Sequence, residues 1–165
     1  MTFALAFALC LSFVAPSGER TYYARLRALG GPAHVASVAR DVEQVAAETG
    51  LRPEDLGALL IGENPSLDPN AVSWNRSSRG MLQLNVRGRY YRGWIAACRA
   101  VPSSCRYSAI REGARALSDA LERCRADFAC AVTVYRSGRV RKLRQVDLDV
   151  VTTARRIRVL MGGDA

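Results

Sequence analysis

Glu63 stands just beyond the apolar stripe of Leu56, Leu59 and Leu60 and directly before Asn64 and Pro65. Proline disfavours helical geometry in the residue before it, so a helix opened by Arg52-Pro53-Glu54-Asp55 has to finish near Glu63. A carboxylate at that end meets the negative pole of the helix dipole and an apolar face, and both disfavour its charged form. It can therefore hold a proton near neutral pH, which is what a general acid requires. A solvated helix-end glutamate is the alternative, and position alone favours it. Asp68 is the nearest partner for chemistry that needs two carboxylates, but its place before Pro69, in a stretch rich in Asn, Pro and Ser, equally suits a turn-forming aspartate.

His34 is the only histidine. Lying just ahead of a helix start with no partner group close in sequence, it reads as structural or solvated rather than catalytic. The cysteines fall at 10, 98, 105, 124 and 130. The last four form an even set that suits disulfides in an exported chain, with three pairings open. Cys98 with Cys105 and Cys124 with Cys130 are preferred, because each pair brackets a short segment expected to turn between helices. A zinc site is the competing reading, but the spacings are not the short C-x-x-C kind. Neither a metal nor a cofactor is expected.

These groups need a scaffold, and the spacing of apolar residues predicts a helical one. Val35, Val38, Val42 and Val45 repeat at helical spacing before Gly50, a C-terminal stop. Ile110, Ala114, Leu117, Leu121 and Cys124 follow one helix face. Asp127 suits an N-cap for a helix through Ala131, Val134 and Tyr135 that ends at Gly138. Further helical patterns cover Met81, Leu82 and Leu84, then Trp94 to Cys98, then residues 147 to 161. Residues 64 to 79 carry turn chemistry and read as a loop. No stretch alternates convincingly as a strand, so an all-α, single-domain fold with a helical core is expected.

The first fifteen residues carry no charged side chain and form an apolar run too short to span a bilayer. Residues 1–17 therefore read as a signal peptide with small residues Ala15 and Ser17 at cleavage spacing, 18–34 as a lead-in and 35–165 as the folded domain. Export to the periplasm or beyond follows, with membrane anchoring if the segment is retained. The net charge of +9 comes from 24 basic and 15 acidic residues, and Lys142 is the only lysine. Such an arginine-rich surface suits an anionic partner, either a wall carrying carboxylates and phosphates or a membrane face; compositional bias toward arginine is the bland alternative. No nucleic acid is expected, because no binding motif accompanies the arginines.

The run from Glu63 to Asn85, ENPSLDPNAVSWNRSSRGMLQLN, resembles the signature of the lysozyme-like lytic transglycosylases. That family shows a catalytic Glu, a proline-containing loop ending in Ala-x-Ser, then Gly, two apolar residues and Gln. Here these are Glu63, Pro69, Ala71 with Ser73, and Gly80, Met81, Leu82 with Gln83. Ile110 and Gly113 are similar to the next segment of the family, and AVTVYRSG at 131–138 resembles its Ala-x-x-x-Tyr-Asn-x-Gly element. Asn64, Ala109 and Arg136 depart from the usual Ser, Asn and Asn, and the loops Glu63–Pro69 and Ser73–Gly80 are each one residue longer.

The resemblance implies a lysozyme-like fold with an active-site cleft, acting as a monomer on peptidoglycan glycan strands, with a wall-spanning secretion, conjugation or phage apparatus as the candidate partner. It implies that Glu63 protonates the glycosidic oxygen, that the substrate's N-acetyl group stabilises the sugar cation, and that Glu63 then takes the C6 hydroxyl proton to leave a 1,6-anhydro end. Ser73, Gln83 and Tyr135 become substrate-binding candidates, Tyr135 by bonding the carboxylate or the sugar. Trp74 is the aromatic best placed for a cleft, whereas Trp94, on an apolar helix, suits the core; Tyr90 and Tyr91 are further candidates. A muramidase using a second acid such as Asp68, and a non-catalytic wall-binding module, are the rival expectations.

Overall fold

A computed structural model describes residues 1–14 and 28–162. The expected cleavage region at Ala15 and Ser17, and the lead-in through residue 27, lie outside the described residues. The chain is predominantly α, as its periodicity predicts. In order it forms α1 (Phe3–Val14), α2 (Gly31–Thr49), α3 (Pro53–Glu63), β1 (Ser78–Arg79), β2 (Leu84–Asn85), α4 (Arg89–Ala100), a 3-10 turn at Pro102–Ser104, α5 (Cys105–Arg123), α6 (Phe128–Ser137) and α7 (Gln145–Leu160).

Local chemistry explains the helix ends. Gly50 closes α2 in the left-handed region at φ 69° and Gly138 closes α6 at φ 74°, where a side chain would be strained. Pro53 occupies the first turn of α3, with Glu54 and Asp55 at its positive pole. Asp127 caps α6 by accepting from the Cys130 backbone N–H at 3.0 Å. α2 opens at Gly31, so it takes the last residues of the expected lead-in; Gly30 and Pro32 start the helix rather than precede it.

The core is built where α2, α3, α5, α6 and α7 turn their apolar stripes inward, with Val38, Val42, Leu59, Leu60, Ile110, Leu117, Val132 and Ile157 buried. α3 runs through the middle, so its residues 54 to 61 are all buried, Glu54 and Asp55 of its first turn included. Close packing leaves no room at Gly62, where an added Cβ would lie 2.4 Å from Val150 of α7. α1, read from sequence as a signal segment, packs Phe3, Ala6, Phe7, Cys10 and Leu11 into this same core while Leu5 and Leu9 face outward. Among the described residues no helix is long and apolar enough to cross a membrane.

The expected disulfides form, Cys98 with Cys105 between α4 and α5 and Cys124 with Cys130 between α5 and α6. The helical pattern at Met81, Leu82 and Leu84 is overturned. These residues lie in a turn and in β2, which pairs antiparallel with β1 in the register Ser78 with Asn85 and Arg79 with Leu84. A loop that must bury Met81 and Leu82 on one side and bond itself on the other mimics helical spacing over so short a run.

Candidate active site

The last residue of α3 is Glu63. Its side chain is only 13% exposed, and Arg136 from the last turn of α6 donates from Nε to Glu63 Oε1 at 2.5 Å. Burial pushes the Glu63 carboxyl above its ordinary value; the Arg136 charge and hydrogen bond pull it back, and Asp147 pushes it further up. The net direction is upward. Glu63 is part of the wall of a cleft of about 1230 Å³ that Trp74, Gln83, Tyr90, Asp119, Tyr135 and Arg136 also line.

One wall comes from the loop between α3 and α4, and its motif residues mostly build the loop. Gly80 has φ +79°, donates its N–H to Ala71 O at 2.8 Å, and presents its bare Cα to the Trp94 ring, which an added Cβ would meet at 2.8 Å. Gln83 donates from Nε2 to Gly80 O at 2.8 Å, while Ser73 Oγ accepts from the Ser78 N–H at 3.0 Å and donates to Asn75 Oδ1 at 2.9 Å. Ser73 thus holds the hairpin from behind and is not part of the cleft wall, whereas Gln83 is. Asn64 is 4% exposed and its Nδ2 donates to Asp68 O at 2.7 Å, with Ser66 Oγ donating to its Oδ1. His34 Nε2 bonds Leu67 O at 2.9 Å, which ties this loop to α2 and gives the histidine a structural place.

Tyr135 lines the cleft beside Glu63, but its hydroxyl donates to Leu82 O at 2.7 Å rather than to the carboxylate. Burial, with the Glu63 charge added, pushes this phenol well above its ordinary value, so it is a neutral donor. Trp74 is 95% exposed at the cleft margin, and Trp94 is 7% exposed in a small apolar cluster with Leu84 and Ala109. Tyr90 lines the cleft; Tyr91 instead packs edge-on against Trp94.

Asp68 accepts from the Asn70 N–H at 2.8 Å in a turn and is not part of the cleft wall. The second carboxylate of the cleft is Asp119 on α5, which takes hydrogen bonds from Tyr90 and Arg89. Sequence reasoning missed it. The signal was present in Ala116, Asp119, Ala120 and Arg123, one stripe of α5 beside its core face, where two alanines leave open space next to an acid and a base.

Behind Glu63 the charges continue inward. Asp147, wholly buried at the start of α7, accepts from Arg141 Nη1 and Nη2 at 2.7 and 3.0 Å and from the Arg144 N–H at 2.8 Å. Burial alone raises an aspartate, but the bonds and charge of Arg141, the Arg144 N–H and the Arg136 charge outweigh it and hold Asp147 below its ordinary value. The cleft therefore combines one largely desolvated carboxyl, amide and hydroxyl groups, exposed aromatic surface and several arginines. That set could support proton transfer to and from a bound polar ligand. Comparison of the chain with protein-family models, curated proteins and solved structures returns no match.

Proposed function

We propose that this chain is an exported peptidoglycan lytic transglycosylase that cleaves the MurNAc–GlcNAc bond with Glu63 as its acid and base. The observation that carries this reading is the place of Glu63: last residue of a core helix, burial pushing its carboxyl upward, and opening on a cleft that Trp74 also lines. A desolvated carboxyl donates a proton to a glycosidic oxygen at a pH where a solvated glutamate has lost it. As the glycosidic bond breaks, the glycan's own N-acetyl oxygen bonds the anomeric carbon; the C6 hydroxyl oxygen then attacks that carbon and displaces it, while Glu63, now ionised, takes the hydroxyl proton and a 1,6-anhydro ring closes. Both disulfides and the arginine surface are in keeping with work in an oxidising compartment on an anionic wall.

Asp119 favours a second reading, muramidase action, because it puts another carboxylate on the same cleft wall. The products separate the two. Mass spectrometry of digested sacculi should find 1,6-anhydro ends, with Asp119→Asn altering rate but not product class and Asp68→Asn near wild type. Reducing ends, together with an inactive but folded Asp119→Asn protein, would establish the hydrolase instead. Absence of any released glycan would leave only a wall-binding module.

A further inference from the structure

Arg136 is held by more than its ion pair. Its Nη2 donates to Gly62 O at 3.2 Å, one of the carbonyls left over at the end of α3, and its Nη1 donates to Val146 O at 2.9 Å and lies 3.5 Å from Asp147. The guanidinium, 15% exposed, is thereby fixed between α3, α6 and the first turn of α7, with Nε aimed at Glu63 Oε1. Among the described residues, Glu63 Oε2 has no hydrogen-bond partner and the carboxylate borders the cleft. A planar fork fixed on three sides can hold a carboxylate in one orientation, which a lysine cannot do.

We propose that Arg136 is the positioning residue of this site: it grips Glu63 by one oxygen and leaves the other to carry the catalytic proton. The inference rests on the transglycosylase reading of Glu63. The groups that face Glu63 are Arg136 and Tyr135 from α6 and Asp147 from α7, and Arg141 in turn neutralises Asp147. Arg123 and Arg144 contribute further positive charge to the same cleft wall. Of these, Arg136 alone bonds the carboxylate. Its removal takes away the cation that favours ionised Glu63, so the acid form survives to higher pH.

The test is the pH profile of kcat/KM on soluble glycan for the wild-type protein, Arg136→Gln and Arg136→Lys, with the Glu63 carboxyl titrated in each by carbon NMR. Arg136→Gln should move the alkaline limb, and the Glu63 titration with it, upward by about 1 pH unit or more. Arg136→Lys keeps the charge, so its limb should stay near wild type while kcat falls roughly tenfold for want of orientation. A folded Arg136→Gln protein whose limb and Glu63 titration match wild type overturns the proposal. If Arg136→Gln does not fold, Asp147→Asn serves: removing an anion that pushes Glu63 upward should move the limb down, and an unmoved or raised limb counts against the arrangement. Should the wild-type protein cleave no glycan at any pH, the transglycosylase reading fails, whereas cleavage with an unmoved limb defeats only the role of Arg136.

Discussion

At the scale of single residues, the motif that resembles the transglycosylase signature is mainly a loop-building device with one chemical group at its start. Gly80 shows how tightly the loop is specified, since it needs both a left-handed backbone and contact with the Trp94 ring. Gly80→Ala should cost about 1–3 kcal/mol of stability, because either the backbone or the ring has to move. Denaturant unfolding measures this, and an unchanged midpoint would mean that the loop is not held as described. Glu63 and Tyr135 were legible from sequence as cleft groups, while the bonds of Ser73, Gln83 and Tyr135 were not. Whether a polar side chain faces the substrate or its own loop depends on backbone turns that residue type does not encode.

Among the elements, the long helices were legible because each buries one stripe and ends on a recognisable signal, as α2 does at Gly50 and α6 at Asp127 and Gly138. The hairpin of β1 and β2 was not, since two-residue strands are too short to alternate. Nor was the joint between α6 and α7, where Asp147 gathers Arg141, the Arg144 N–H and Arg136, because their convergence depends on how the backbone turns between the two helices and not on residue type or spacing. That joint predicts an acid sensitivity. With its folded pKa below the ordinary aspartate value, Asp147 stabilises the fold fully above about pH 5 and loses that contribution as pH falls through the folded pKa. Asp55 and Glu63, raised chiefly by burial, act in the opposite sense: their contribution is present at low pH and lost as pH rises. The stability gap between wild type and Asp147→Asn should therefore be open at pH 7 and shrink below about pH 4. A gap that is constant from pH 7 to pH 3 would remove the electrostatic account of the joint.

For the molecule as a whole, one helical core places Glu63 at the end of its most buried helix and opens it to a cleft lined from α5, α6 and the long loop. Of the many arginines, Arg89, Arg123, Arg136 and Arg144 line this cleft. Attraction to a wall fragment bearing many carboxylates is screened by salt more than attraction to a short neutral glycan. Turnover of sacculi should accordingly fall with added salt more steeply than turnover of a soluble oligosaccharide; equal slopes would make the charge compositional. The central claim is that Glu63 transfers the proton at the scissile bond. Its most direct test is product analysis of sacculi treated with wild-type protein and with Glu63→Gln at matched fold. The amide keeps the shape but carries no transferable proton, so wild type should release 1,6-anhydro fragments and Glu63→Gln should lose more than the roughly 100-fold to 10,000-fold due to general acid catalysis alone. Wild-type rates from a folded Glu63→Gln protein would contradict the account.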